Sequence, residues 1–136
     1  MKVRGLSCLD AHELVLSKPG TLLIDVRSSM EFLFVGHPSN ATHIAWIDEP
    51  SWMENEDFTQ DITRLIEGNK LTKHSATLVL ICRSGNRSNV AGKHLLKHGF
   101  DRIYNVTEGF EGDRDESSQR STVGGWRYHN LPWEQC

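Results

Sequence analysis

Apolar residues in this chain fall into two kinds of run, and the two kinds alternate. Short unbroken stretches, TLLIDV at residues 21–26 and ATLVLI at residues 76–81, show no polar face. A strand covered on both sides reads this way, because each of its faces meets packed side chains. THIAWI at residues 42–47 fits the same description, and DRIYNV at residues 101–106 alternates like a final strand. Between them lie segments with helical spacing. LDAHELVLSK places Leu9, Leu14 and Leu16 for a short helix that starts near Asp10 and ends before Pro19. A shorter helix is expected over about 28–34, stopped by Gly36 and Pro38. In SWMENEDFTQDITRLIEG, Phe58, Ile62, Leu65 and Ile66 share a helical face and Gly68 ends it. SNVAGKHLLKHG turns Val90, Ala91, Leu95 and Leu96 inward, with Gly99 as its stop. After Val106 the chain is rich in Gly, Asp and Ser, and residues 111–136 are expected to form a long irregular tail of the kind that carries function or moves.

Strands that alternate with helices predict an α/β fold with a parallel sheet and helices on both faces. Such sheets hold ligands beyond the carboxyl ends of their strands. Two polar groups arrive there: Asp25 closes TLLID and Cys82 closes LVLIC. The chain has 136 residues, enough for one domain with one core, expected to span residues 1–136 with its core over about 6–110. Composition acts mainly by exclusion. With a net charge of −3 there is no basic footprint for nucleic acid. No stretch approaches the roughly 18 apolar residues of a membrane span. The first twenty residues lack the apolar run of a signal peptide, so a cytoplasmic location is expected.

The three cysteines, Cys8, Cys82 and Cys136, are odd in number and form no C-x-x-C. Neither a disulfide framework nor a zinc ribbon is suggested, and all three are expected to be free thiols. A cysteine at a strand end is ordinarily a small buried hydrophobe. The loop CRSGNRS argues otherwise, since core packing has no use for two arginines and a glycine beside a thiol. The loop feeds into a helix, so its amides and the positive helix end point back at the sulfur. A turn through Ser84, Gly85 and Asn86 brings consecutive N–H groups together, and Gly85 tolerates the positive φ that such a curl needs. Arg83 and Arg87 add permanent positive charge. Together these features favour thiolate, the nucleophilic form.

CRSGNRS resembles the active-site loop of the rhodanese family of sulfurtransferases. The likeness extends to Asp25, Val26, Arg27, Glu31, Gly36, His37, Ala41 and Ile44, which match the family's D-V-R, E, G-H and A-x-x-I segment, and to NVTEGFEGD after the last strand. It covers residues 6–133, with Pro38 directly after His37 where many members have Ile-Pro. The resemblance implies a rhodanese-like α/β fold with a five-stranded, mostly parallel sheet. It further implies that Cys82 takes a sulfane sulfur from thiosulfate or a similar donor as a persulfide, then yields it to a thiophilic acceptor. Loop amides would hold the persulfide. Arg83 and Arg87 would bind a small anionic donor, with Ser84, Gly85, Asn86 and Ser88 completing the loop. The acceptor would be a small nucleophile, a thiol or a sulfur-carrier protein. No metal and no cofactor are called for, nor any nucleic acid or membrane.

Asp25 is expected to hydrogen-bond a loop arginine or loop amides and fix the loop's shape; capping the helix near Ser28 is the alternative. Arg27 and Glu31, four residues apart, are expected to form a local ion pair of the scaffold. His94 and His98 share a helical face without further metal-ligand spacing and read as solvated, whereas His37 and His43 read as structural. Trp126 and Trp133 are expected to pack the tail, with Phe110 near the donor pocket. Two other functions compete. A phosphatase of the C-x5-R type needs five residues between cysteine and arginine, and here there are four. A non-catalytic or sulfur-carrier module that docks a partner would share the fold but not the turnover.

Overall fold

Every residue of TLVLI is buried, and this segment, Thr77–Ile81, is the middle strand of the sheet. A computed structural model describes residues 2–136. In chain order the elements are β1 (Arg4–Leu6), α1 (Cys8–Ser17), β2 (Thr21–Asp25), a π-helical turn (Glu31–Val35), β3 (His37–Pro38), β4 (Ala41–His43), α2 (Phe58–Gly68), β5 (Thr77–Ile81), α3 (Asn86–Lys97), β6 (Arg102–Val106) and β7 (Trp133–Glu134). The main sheet has the order β1-β6-β5-β2-β4, and all four of its pairings are parallel. β3 and β7 form a separate antiparallel pair.

Alternation along the strands divides the core in two. Leu78 and Leu80 of β5 face Phe58, Ile62 and Ile66 of α2 and Ala91 and Leu95 of α3. Val79 and Ile81 face the other way, onto Cys8 and Ala11 of α1, onto Phe110 after β6 and onto Trp126 of the tail. Helices therefore cover both faces, with the C-terminal tail completing the layer beside α1. Local capping fixes where α1 begins: the Ser7 hydroxyl accepts from the Asp10 N–H at 3.1 Å.

Several expected boundaries move. α2 starts at Phe58, the first of the residues expected on its apolar face, because the SWMENED segment before it is tied down as a loop. Asn55 donates its backbone N–H to Trp46 O, and its side chain bonds Ala45 O and Asp61. The strand expected over residues 42–47 is β4, only Ala41–His43. Beyond it, Ile44 and Trp46 still donate to Asp25 O and Val26 O. The helix expected over about 28–34 ends as a π turn whose last bond runs from Gly36 N–H to Glu31 O. The irregular tail is firmly packed. Trp126 is fully buried, stands edge-on to His12 and donates its indole N–H to Pro132 O. At its end β7 docks on β3.

Candidate active site

Cys82 follows the last residue of β5, and α3 begins at Asn86, so the loop is a strand-to-helix turn at the carboxyl edge of the sheet. Gly85 makes the turn possible. Its φ is 103°, and a Cβ there would stand 2.5 Å from Thr107 O. Gly109 serves on the facing segment, where a Cβ would run into the Arg83–Ser84 backbone. This close approach lets the chain after β6 brace the loop. Phe110 N–H donates to Cys82 O at 2.8 Å, and Glu111 N–H donates to Arg83 O at 3.0 Å.

Two donors converge on the sulfur. The Gly85 N–H points at Cys82 Sγ from 3.1 Å, and the Ser88 hydroxyl lies 3.2 Å away. Ser88 also contacts Asn105 Oδ1, while Asn105 Nδ2 donates to Gly85 O at 3.0 Å. Cys82 is 1% exposed, and Gly85, Ser88 and Asn105 are buried with it. Asn86 and Arg83 face solvent, and Ser84 is half-buried.

The charged groups around the loop differ from the expected pairing. Arg27 does not pair with Glu31. It forms a fully buried ion pair with Asp25, at 2.7 Å from Nη2 to Oδ2, and donates its backbone N–H and Nε to the same carboxylate. Asp25 therefore neither holds a loop arginine nor caps the following helix. The reason is reach: two residues past the strand end, the Arg27 side chain folds back over Asp25, donates to Gly36 O and lies 4.6 Å from the Phe110 ring centre. Through Phe110 the pair backs the Cys82 loop.

Glu31 pairs instead with Arg87, accepting from Nη1 at 2.7 Å and Nη2 at 2.9 Å. Burial opposes the charge on Glu31, but the hydrogen bonds and attraction of Arg87 outweigh it, and its pKa falls to about 2. Arg87 is raised in turn, chiefly by its hydrogen bonds to Glu31. Arg83 takes part in no ion pair among the described residues. Of the two loop arginines, it is the exposed cation.

Glu31 and Asn105 are the site residues that sequence reasoning missed. Glu31 stood in a recognisable motif but was given the wrong partner. Asn105 left a fainter signal, an amide at a position of DRIYNV that points to the α3 face. Other candidates lie elsewhere. Phe110 and Trp126 are core residues behind the loop, and Trp133 stacks edge-on against Phe110. Cys8 is buried and donates to Gly109 O; burial, then the nearby Glu108 carboxylate, push its thiol pKa up. Cys136 is exposed. The His94 and His98 rings lie tilted against each other near Trp46, and no cluster of three or more metal-binding side chains occurs among the described residues.

The sequence profile of the Rhodanese-like domain matches residues 9–116. An uncharacterized protein of Rickettsia rickettsii, an RP600 homolog, is 30% identical over 136 residues, covering 98% of this chain and 99% of its own. The crystal structure of Rv0390 from M. tuberculosis is 30% identical, covers both chains completely and superimposes with a TM-score of 0.81. The polysulfide-sulfur transferase of Wolinella succinogenes, a homodimer, is 25% identical with a TM-score of 0.59, covering 98% of this chain and 80% of that one.

Proposed function

Because the chain belongs to the rhodanese-like domain family, we propose that it is a sulfurtransferase that carries a sulfane sulfur on Cys82. The observation that carries this reading is the convergence of the Gly85 N–H and the Ser88 hydroxyl on Cys82 Sγ at the mouth of α3. Donors aimed at one sulfur suit a nucleophile that alternates between thiolate and persulfide.

In the proposed cycle the Cys82 thiolate attacks the outer sulfur of thiosulfate. A bond forms between Sγ and that sulfur, the donor's S–S bond breaks, and its electron pair leaves with sulfite. Sγ thereby gives up its negative charge, the outer sulfur of the new persulfide keeps its own, and sulfite leaves as a dianion. A thiophilic acceptor then attacks that outer sulfur and returns Cys82 as thiolate. Arg83, exposed on the loop, draws the anionic donor in, whereas Arg87 is held by Glu31 and fixes the loop's far end. Only 1% of Cys82 is exposed, so the donor's terminal sulfur must enter the loop to reach it. Four residues between Cys82 and Arg87 make a loop that suits one sulfur atom better than a phosphate. The likeness to the Wolinella polysulfide-sulfur transferase supports polysulfide as a second proposed donor of the same class. A thiol or a sulfur-carrier protein is the proposed acceptor, and the chemistry fits a reducing cytoplasm that keeps Cys82 as a thiol.

Intact-mass measurement tests the reading. Parent protein treated with thiosulfate, or in a parallel arm with polysulfide, should gain one sulfur and lose it on adding cyanide. Cys82→Ser should do neither. A parent protein that stays unmodified with both donors would overturn the proposal in favour of a partner-docking module.

A further inference from the structure

Asn105 in β6 is 7% exposed, and its two amide atoms reach both of the groups that touch the reactive sulfur. Nδ2 donates to the Gly85 carbonyl at 3.0 Å. That carbonyl can only accept, so the amide's orientation is dictated and Oδ1 must face Ser88. Ser88 Oγ stands 2.5 Å from that oxygen and 3.2 Å from Cys82 Sγ. The hydroxyl has one hydrogen, and an anionic sulfur competes with Asn105 for it.

We propose that Asn105 is the positioning residue of the sulfur-transfer cycle: it decides where the Ser88 hydrogen points and so sets the cost of negative charge on Cys82 Sγ. The proposal rests on the sulfurtransferase reading above. When Cys82 is a neutral thiol, its S–H donates to Ser88 Oγ and Ser88 donates to Asn105, and every partner is satisfied. When the thiol proton leaves, the single Ser88 hydrogen can serve either the sulfur, which keeps the Gly85 N–H in both cases, or Asn105 Oδ1, and the other goes without it. Attack on a sulfane donor takes the charge off Sγ and leaves one on the outer sulfur. The Ser88 hydrogen then swings back to Asn105 without any proton leaving the site. The relay thereby favours the loaded state over the bare thiolate, and removal of the sulfur by the acceptor reverses the swing.

Charges facing the sulfur come from three other elements. Arg87 of α3 is paired with Glu31 of the π turn, and Asp25 at the end of β2 is paired with Arg27. Arg83 is exposed on the loop itself. None of these hydrogen-bonds Ser88 or Asn105, so substitutions at the latter two leave them in place.

The test is the pH dependence of Cys82 alkylation by iodoacetamide, read by peptide mass, in the parent, Asn105→Leu, Ser88→Ala and the double variant. Freed from Asn105, the hydroxyl serves the thiolate alone, so Asn105→Leu should lower the alkylation midpoint by about 0.5–1 pH unit. Ser88→Ala should raise it by about one unit, since a hydrogen bond to a charged group is lost. The Asn105 effect should vanish in the Ser88→Ala background. If Asn105 merely braced the loop, its loss would misplace the Gly85 N–H and raise the midpoint in both backgrounds, and that result overturns the proposal. Asn105→Ala should shift in the same direction as Asn105→Leu and serves if the latter does not fold. Alkylation needs no sulfur donor. A missing persulfide together with the expected midpoints would therefore overturn sulfur transfer and leave the hydrogen-bond relay standing.

Discussion

Removing the charge of Glu31 puts a number on the electrostatics that close the loop. Glu31 and Arg87 are joined by two hydrogen bonds of 2.7 and 2.9 Å, with side chains 21% and 25% exposed. Burial disfavours the carboxylate, yet Arg87 carries its pKa from the ordinary 4.5 down to about 2. That drop of roughly 2.5 pH units corresponds to about 3 kcal/mol at 1.36 kcal/mol per unit. Remaining solvent contact and salt screening reduce the expected contribution to about 1–3 kcal/mol. Because the folded value lies below the unfolded one, the stabilisation is complete above the unfolded pKa and is lost as pH falls through the folded pKa. Glu31→Gln keeps the shape and gives up the charge. In urea denaturation at neutral pH, the variant should be about 1–3 kcal/mol less stable than the parent. The gap should close between about pH 5 and about pH 2 as the parent's carboxyl takes up its proton. Arg87→Met should cost a similar amount, and the double variant little more than either single change. A gap that does not depend on pH, or one below about 0.5 kcal/mol at neutral pH, would refute the reasoning.

Other substitutions separate the remaining contributions. Asp25→Asn leaves the buried Arg27 guanidinium without its counter-charge and should cost about 3–5 kcal/mol in chemical denaturation; a loss under about 1 kcal/mol would show that the pair is solvated. Gly85→Ala forces a side chain into a φ of 103° and against Thr107 O, so persulfide loading measured by mass should drop at least tenfold, and unchanged loading would mean that the turn is not needed. Trp126→Ala empties a fully buried site between the tail and α1 and should lower stability by about 3–5 kcal/mol in a denaturant melt, with a small effect marking the tail as an ornament. With its thiol pushed upward by burial and Glu108, Cys8 should resist iodoacetamide in the native protein while the exposed Cys136 reacts, and peptide mapping before and after denaturation checks this.

What could be read from the sequence was what depends on neighbours in the chain. The run ATLVLI, the loop after it and the helix beyond it are contiguous, so periodicity and a glycine were enough to place Cys82 at a strand end and α3 behind it. The ion pairs were not legible in the same way. Spacing of four suggested Arg27 with Glu31, but Arg27 stands ahead of the helical turn, and that turn is wound as a π-helix, so the usual i to i+4 geometry never arises. Arg87 reaches Glu31 across 56 residues, and Asn105 reaches Gly85 across 20. β1 has three residues and β7 two, too short for any alternating pattern, and each exists because a distant strand supplies its hydrogen bonds.

The pairing of β1 with β6 joins Arg4 to Tyr104 and Leu6 to Val106. β1 thus waits for β6, made much later in the chain, before it gains a partner. Contacts between residues so remote in sequence slow folding, because a long chain must be closed before it is rewarded. The thiol-bearing turn is braced by amides at positions 110 and 111, which emerge later still. A growing polypeptide therefore carries Cys82 in an unbraced segment until those residues have been made, and the turn is clamped only once β6 and the chain after it are in place.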